Sequence, residues 1–297
     1  MPPSGSNRHN GLDPMHRKPD QPRGNPPTVN FQARSRFREL AEASSRRTHV
    51  KVPEVTALFW VTKVLTTAMG ETTSDFLVHR LGPGVAIPLG GIALALSLVW
   101  QYKQDRYVPW VYWLAVLMVA VFGTMAADVL HVGGGIPYAV STSFFAIVLG
   151  AVFIVWHRSE HTLSIHSIDT PRRESFYWLT VITTFALGTA VGDLTATTLG
   201  LGYWASGIVF AVVMAIPAVG YLRFGMNEVF AFWFAYILTR PLGASFADWL
   251  AVPHHRGGLA WGPGTTSLFL AVMIAGCVGY LAVTHEDVAD EGAASSD

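Results

Sequence analysis

Charge and cysteine are both scarce in this sequence. Only 13% of the 297 residues are Asp, Glu, Lys or Arg, and the formal net charge is zero. Soluble domains carry roughly 25% charged residues, so the composition argues against an ordinary soluble protein. A neutral chain has no overall attraction for nucleic acid, and we predict no nucleic-acid partner. The one cysteine, Cys277, excludes an intrachain disulfide, a CxxC redox pair and a thiolate metal cluster.

The chain also lacks the common catalytic motifs. It contains no P-loop, no GxSxG nucleophile elbow, no HExxH zinc motif and no credible Ser-His-Asp pattern. We therefore predict that the protein is not an enzyme and that it has no cofactor. The sequence leaves open whether any of its residues bind a metal.

Long apolar runs fill the middle of the chain, and hydrophobic residues make up 51% of the whole. A bilayer core about 30 Å thick needs about 20 mainly apolar residues in a helix. The runs are too long for strands and show no alternation of period two. We predict eight membrane-spanning helices, with approximate cores at residues 54–77, 85–101, 108–130, 137–156, 174–197, 203–222, 227–250 and 264–283.

The two ends of the chain differ from the middle. Residues 1–50 are basic and rich in Pro, Arg, Asn, Gly and Ser. They hold too few apolar side chains to offset the entropy of ordering, so we predict a disordered tail. Residues 51–285 form the predicted membrane domain, and residues 286–297 form an acidic tail.

Lysine and arginine are distributed unevenly between the two sets of connecting segments. One set begins with the N-terminal tail and continues with Lys51, Lys103, Arg106, Arg158, Arg172, Arg173 and Arg223. The other set holds only Arg80 and Arg256. Because cytoplasmic loops carry the excess of Lys and Arg, we predict that both termini are cytoplasmic.

A repeat runs through the predicted membrane domain. Each copy has a tryptophan preceded by an aromatic residue, a glycine ten residues after that tryptophan and an aspartate fifteen residues after it. The tryptophans are Trp60, Trp113, Trp178 and Trp233; the glycines are Gly70, Gly123, Gly188 and Gly243; the aspartates are Asp75, Asp128, Asp193 and Asp248. Four matches at fixed offsets are hard to obtain by chance and indicate tandem repeats.

With these residues, the sequence resembles a family of bacterial uncharacterised membrane-anchored proteins that carry four tandem repeats of unknown function. The resemblance covers about residues 51–285, and the segments TLSIHSIDTPRRESFYWL and FAYILTRPLGASFADWL are especially similar to the family. It implies two membrane helices per repeat and a multi-pass location in the bacterial cytoplasmic (inner) membrane, but no activity. The repeats then cover about residues 53–101, 106–157, 171–222 and 226–284.

Two spans per repeat mean that every copy enters the membrane from the same side. The predicted fold is an all-α integral membrane protein whose parallel repeats are pseudo-symmetric about the membrane normal. The tryptophans then share one depth, where an interfacial aromatic belt is the favoured interpretation and helix packing is the alternative. The glycines are expected to let helices approach closely, with a hinge role as the alternative.

The aspartates share a second depth, about 22 Å further along the helices at 1.5 Å per residue. Two interpretations stay open for them. Each carboxylate could cap the glycine-containing turn that follows it by accepting backbone N–H bonds. Alternatively, the four carboxylates could form a ring that attracts or binds cations.

Charged side chains well inside a span are costly, at about 2.5–3.5 kcal/mol each on insertion scales, and so they mark a function or a pairing. On the first helix, a polar stripe with a spacing of four residues contains Lys63, Thr67, Glu71 and Asp75. The matching stripe of the fourth repeat contains Arg240. One interpretation is a structural ion pair of Glu71 with Arg240 or Lys63, and the other is a substrate or ion pathway.

We therefore predict a cation- or proton-linked transporter or permease that uses intramembrane carboxylates, with the lipid bilayer and a small cation or proton as its partners. The pathway candidates are Lys63, Thr67, Glu71, Asp75, Asp128, Asp193, Arg240 and Asp248. Pro241 is expected to bend the helix beside the buried charge. The alternative function is a non-transporting membrane scaffold or accessory subunit. The sequence leaves the substrate and the oligomeric state open.

Overall fold

The structure is a computed structural model that describes residues 50–287. The predicted N-terminal tail, apart from residue 50, and residues 288–297 of the predicted acidic tail lie outside this range. Eight long helices occupy the described residues: α1 (Ala57–Leu81), α2 (Pro83–Tyr102), α3 (Pro109–Asp128), α4 (Tyr138–Glu160), α5 (Pro171–Asp193), α6 (Gly202–Phe224), α7 (Glu228–Ala251) and α8 (Pro263–Thr284). The positions of the eight predicted helices are confirmed, with ends that differ by a few residues.

Seven of the eight helices are long and apolar enough to cross a membrane. The exception is α1, which carries Lys63, Glu71 and Asp75 together with several threonines. The apolar runs of the other helices fit a membrane protein.

Four helices form an inner ring, and they are the ones that carry the repeated tryptophan, glycine and aspartate. Helix α1 packs against α3, α3 against α5, α5 against α7, and α7 against α1. Between 56% and 67% of the apolar core of α3, α5 and α7 is buried, compared with 17–28% for α2, α4, α6 and α8. The second helix of each repeat therefore lies outside the ring.

Each outer helix packs chiefly on the inner helix of the following repeat. Helix α2 lies against α3, α4 against α5, and α6 against α7, while α8 returns to pack on α1. The last repeat thus closes onto the first.

The tryptophans lie inside the bundle. Trp113 and Trp178 are 2% exposed and Trp233 is 4% exposed, while Trp60 is partly buried. The aromatic residue before each tryptophan contacts the tryptophan of the next repeat, with ring centroids 5.6 to 6.2 Å apart. These pairs are Phe59–Trp113, Tyr112–Trp178, Tyr177–Trp233 and Phe232–Trp60.

The interfacial-belt interpretation is therefore wrong for the three deeply buried tryptophans. An indole ring is amphipathic, so it suits either a membrane interface or a packed helix junction. Here the larger apolar area is buried between neighbouring inner helices. The contacts form an aromatic layer across one end of the ring.

The repeated glycines lie where neighbouring inner helices come closest. A Cβ atom added at Gly123 would lie 3.0 Å from Cβ of Phe185, and one at Gly188 would lie 2.6 Å from Cβ of Arg240. Gly70 faces Ala120 in the same way, and Gly243 faces Thr67. In each case the partner is the residue seven positions after the next repeat's tryptophan, so the close approach recurs around the ring.

Helix α7 runs through Pro241 as one continuous helix from Glu228 to Ala251. The helix is therefore not broken beside Arg240. The proline is buried and faces α5, where its Cα would lie 3.7 Å from a Cβ atom added at Gly192.

Candidate functional site

The polar stripes of the four inner helices meet inside the ring. Glu71 on α1 and Arg240 on α7 form a buried ion pair, with Oε2 and Nη2 2.5 Å apart. Arg240 is 1% exposed and Glu71 is 7% exposed. Of the two partners that the sequence allows for Glu71, the structure selects the arginine.

Threonines from the other two inner helices complete the contacts of the guanidinium. Nη2 of Arg240 donates to the hydroxyl of Thr124 on α3 and to that of Thr189 on α5, the latter at 2.9 Å. Both hydroxyls donate their own hydrogen to the backbone of the preceding turn, at Ala120 and Phe185. Glu71, Thr124 and Thr189 occupy the same position in repeats one, two and three, so one arginine joins all four inner helices.

The remaining donors of Arg240 have no partner. Among the described residues, neither Nε nor Nη1 is hydrogen-bonded, although both are buried. A buried polar group without a partner costs free energy, about 1–3 kcal/mol in protein interiors and more for a charged group. The guanidinium is therefore incompletely satisfied and retains donors for another acceptor.

Lys63 lies on α1 between the Glu71–Arg240 pair and the aromatic layer. It is 0% exposed and its ammonium lies 4.1 Å from the ring centre of Phe185 and 4.2 Å from that of Tyr236. Within the described part of the chain, its Nζ has no hydrogen-bond partner. Cation–π contacts stabilise a desolvated ammonium by about 2 kcal/mol or more. They take the place of the Glu71 partner that the sequence allowed.

Thr67, the remaining polar residue of the first stripe, serves the helix interface. Its hydroxyl lies 2.7 Å from the carbonyl oxygen of Val64 and 3.0 Å from that of Thr239 on α7. It therefore tethers α1 to α7 rather than lining free space.

The four repeated aspartates lie at the end of the ring opposite the aromatic layer, and all are partly exposed. Within residues 50–287, none of their side chains accepts a hydrogen bond from the turn that follows, so the structure does not support the capping interpretation. Each carboxylate lies close enough to Glu71 and to Arg240 to interact electrostatically with both. Five carboxylates therefore act electrostatically on one guanidinium.

Two further features were missed from the sequence. The hydroxyls of Tyr112 and Tyr177 are buried and 2.5 Å apart in the aromatic layer. His131 lies in a π-helical turn, Val129–Gly133, that extends α3, and its Nδ1 is 4.0 Å from a carboxylate oxygen of Asp193. Because His131 follows Asp128 by three residues, helical spacing alone could have placed both on one face.

These features define an all-helical repeat protein with membrane-type helices around a buried charged centre. Residues 58–107, 111–162, 176–227 and 231–287 each match the model of one repeat family. The chain belongs to that family, which is described as Repeat of Unknown Function (DUF347). The resemblance seen in the sequence is thereby confirmed as far as the repeat family. No curated protein and no solved structure matches the chain.

Proposed function

We propose that this protein is a multi-pass permease of the bacterial cytoplasmic membrane that moves a small cation or a proton along the inside of the inner ring. The observation that carries this proposal is the buried Glu71–Arg240 pair, which lies below four aspartates and leaves two guanidinium donors without partners. Ionisable residues within membrane-type helices are costly and usually mark a pathway or a pairing.

The outer surface supports the membrane location. Large apolar side chains remain exposed along all four outer helices, including Leu96, Ile147, Val212 and Leu268. Helix α1 is less apolar, but protein surrounds it on the sides of α3, α7 and α8. A polar helix can span a bilayer when its charges face the bundle interior, so we propose eight spans. The lysine and arginine distribution then places both termini in the cytoplasm.

The recurring contacts support a pseudo-symmetric arrangement about the membrane normal. The aromatic–tryptophan contact and the glycine contact each recur from one repeat to the next and from the last to the first. Two helices per repeat give all copies the same direction through the membrane. With the termini inside, the aspartates face the exterior and the aromatic layer faces the cytoplasm.

The charges suggest how a cation would move. The outer carboxylates attract it, and Glu71 then exchanges its bond to Arg240 for a bond to the cation or proton. A pair of unit charges 4 Å apart interacts by about 4 kcal/mol at an effective dielectric constant of 20. An incoming charge of the same sign as Arg240 can therefore compete for Glu71 on nearly equal terms.

The aromatic layer closes the inner end in this conformation. Lys63 lies between that layer and the ion pair, on the path of a cation that has reached Glu71. Release to the cytoplasm therefore requires Phe185 or Tyr236 to move and the Tyr112–Tyr177 contact to open.

Flux into proteoliposomes tests this function. The purified protein is reconstituted with an enclosed pH-sensitive or cation-sensitive dye, and Na⁺, K⁺, Mn²⁺ and proton gradients are applied one at a time. We expect flux with at least one gradient, and a loss of at least tenfold in Glu71→Gln.

The matched control is Glu174→Gln. Glu174 is also buried and paired, with Lys51 at 2.8 Å, but it lies outside the inner ring's charged centre. The Glu174→Gln variant should keep the wild-type flux per folded molecule. Absence of flux for every gradient in folded wild-type protein would favour a second function, a membrane scaffold, for which the direct contact of Glu71 with Arg240 is the supporting observation.

A further inference from the structure

We propose that Asp128, His131 and Asp193 form a binding site for a divalent transition-metal cation at the aspartate end of the inner ring. One ligand atom from each residue lies within 4.8 Å of the others. Asp128 ends α3, His131 follows in the π-helical turn, and Asp193 ends α5. The three side chains therefore come from two neighbouring inner helices.

The hydrogen bonds around His131 involve only one of its ring nitrogens, Nε2. Nε2 lies 2.6 Å from Oγ of Ser141, and the Ser141 hydroxyl donates to the carbonyl oxygen of Tyr138 at 3.0 Å. A serine hydroxyl has a single hydrogen. We assign that hydrogen to Tyr138, so that Oγ accepts from His131 and Nε2 carries the proton. In the neutral imidazole, Nδ1 then presents a lone pair.

Nδ1 lies close to both carboxylates, since the ligand atoms of Asp128, His131 and Asp193 are all within 4.8 Å of one another. The His131 side chain is 2% exposed, and among the described residues its Nδ1 has no hydrogen-bond partner. Its contact with Oδ2 of Asp193 measures 4.0 Å. A lone pair that faces carboxylates without a positive charge between them is electrostatically unfavourable, so the arrangement calls for a cation.

The separation favours a metal over a shared proton. A hydrogen bond between nitrogen and oxygen needs about 2.7–3.2 Å, which is well short of the observed distance. Zinc and similar ions bind imidazole nitrogen at about 2.0–2.1 Å and carboxylate oxygen at about 2.0–2.2 Å. In tetrahedral coordination, a metal bound to both atoms would hold them about 3.4 Å apart. The observed 4.0 Å is therefore closer to the spacing of two metal ligands than to that of a hydrogen bond.

The donor set indicates the class of metal. One imidazole with two carboxylates suits Zn²⁺, Mn²⁺, Fe²⁺ or Co²⁺, whereas Mg²⁺ and Ca²⁺ prefer oxygen ligands alone. Two carboxylates also balance a double positive charge. The hydrogen bond from Nε2 to Ser141 is the kind of outer contact that fixes a metal-binding histidine in orientation and tautomer.

The site belongs to one pair of repeats. The residues that match His131 in the other repeats are Val78, Ala196 and Ala251, which cannot bind a metal through their side chains. Both Asp128 and Asp193 are followed directly by π-helical turns, whereas α1 and α7 continue as α-helix beyond Asp75 and Asp248. Such turns are frequent at functional sites. Transport of this metal would rest on the proposed permease function, whereas binding of the metal at the site does not.

Metal binding to the chelator-treated protein in detergent tests the site directly. Equilibrium dialysis with Mn²⁺, Zn²⁺ or Co²⁺ should show one tightly bound ion per protein molecule. Mg²⁺ and Ca²⁺ should bind at least tenfold more weakly. We expect His131→Ala to lower the affinity at least 100-fold. Ser141→Ala, which keeps all three ligands, should lower it about tenfold because it removes the outer hydrogen bond.

The control is His79→Ala. His79 lies at the same end of the ring, is exposed and contacts the backbone oxygen of Asp75 at 2.7 Å. The His79→Ala variant should bind the metal with the affinity of the wild type. Failure of folded wild-type protein to bind any of the three metals, or equal binding by the His131 variant, would overturn the site. The flux assay would be unaffected by either result if another cation is transported, so the two proposals can fail separately.

Discussion

Removal of Arg240 should destabilise the protein much more than neutralisation of Glu71. In Arg240→Met, Glu71 is left buried beside four aspartates with no guanidinium nearby. Breaking a buried ion pair by removing one partner costs about 3–5 kcal/mol. In Glu71→Gln, by contrast, the amide oxygen can still accept a hydrogen bond and the four aspartates still act electrostatically on Arg240, so a cost of about 1–3 kcal/mol is expected.

Thermal unfolding in detergent, followed by tryptophan fluorescence, measures this difference. At about 2–4 °C per kcal/mol for a chain of this size, Arg240→Met should lower the midpoint by roughly 6–20 °C. The double variant Glu71→Met/Arg240→Met should recover much of that loss, because replacing both partners of a buried pair by apolar residues is often neutral.

A second double variant provides the control. Glu174→Gln combined with Arg240→Met should be additive within about 0.5 kcal/mol, because the two sites share no contact. The reasoning is refuted if Arg240→Met is no more destabilising than Glu71→Gln, or if the losses in the double methionine variant simply add.

Three further predictions concern the packing around this centre. Gly188→Ala should lower the unfolding midpoint and the flux, because its Cβ would lie 2.6 Å from that of Arg240, whereas Gly150→Ala on α4 meets nothing within 4 Å and should be neutral or slightly stabilising. Tyr112→Phe should cost about 1–3 kcal/mol in unfolding free energy, because it leaves the buried Tyr177 hydroxyl without its 2.5 Å partner; an unchanged midpoint would contradict this. Burial raises the pKa of the Asp287 carboxyl, so its protonated form contributes stability that is present below the unfolded pKa and is lost as the pH rises through the folded pKa. Asp287→Asn should therefore flatten the pH dependence of the midpoint in the acidic range, which a melting series across pH would show.

Much of the fold could be predicted from the sequence, because the length of the apolar runs and the spacing of the repeats indicate helices directly. The eight helices follow from apolar runs, and the four-residue spacing of Lys63, Glu71 and Asp75 places them on one face of α1. Periodicity defines a face but not the neighbour that covers it. The packing of α2, α4, α6 and α8 on the inner helix of the following repeat therefore could not be predicted.

The side-chain contacts inside the ring could not be predicted from the sequence either. Glu71 could reach either Lys63 or Arg240 by sequence spacing, and only the helix arrangement shows that Lys63 lies between Phe185 and Tyr236 instead. Tryptophan is enriched at membrane interfaces and also fills helix junctions, so the sequence pattern alone favoured the wrong location. His131 escaped notice because its carboxylate partner Asp193 comes from α5, far away in the chain.

Thiol accessibility tests most directly whether the inner ring is a water-filled route for cations. Replacement of Cys277 by Ala removes the single native cysteine, and Thr124→Cys then places a thiol beside Arg240 on that route. Ser206→Cys, buried on the outer helix α6, is the matched control. In proteoliposomes, a small positively charged, membrane-impermeant thiol reagent added at the external side should label the cysteine at position 124 and leave that at position 206 unlabelled. Equal protection of both cysteines, in folded protein and under every cation gradient, would contradict a pathway through the ring.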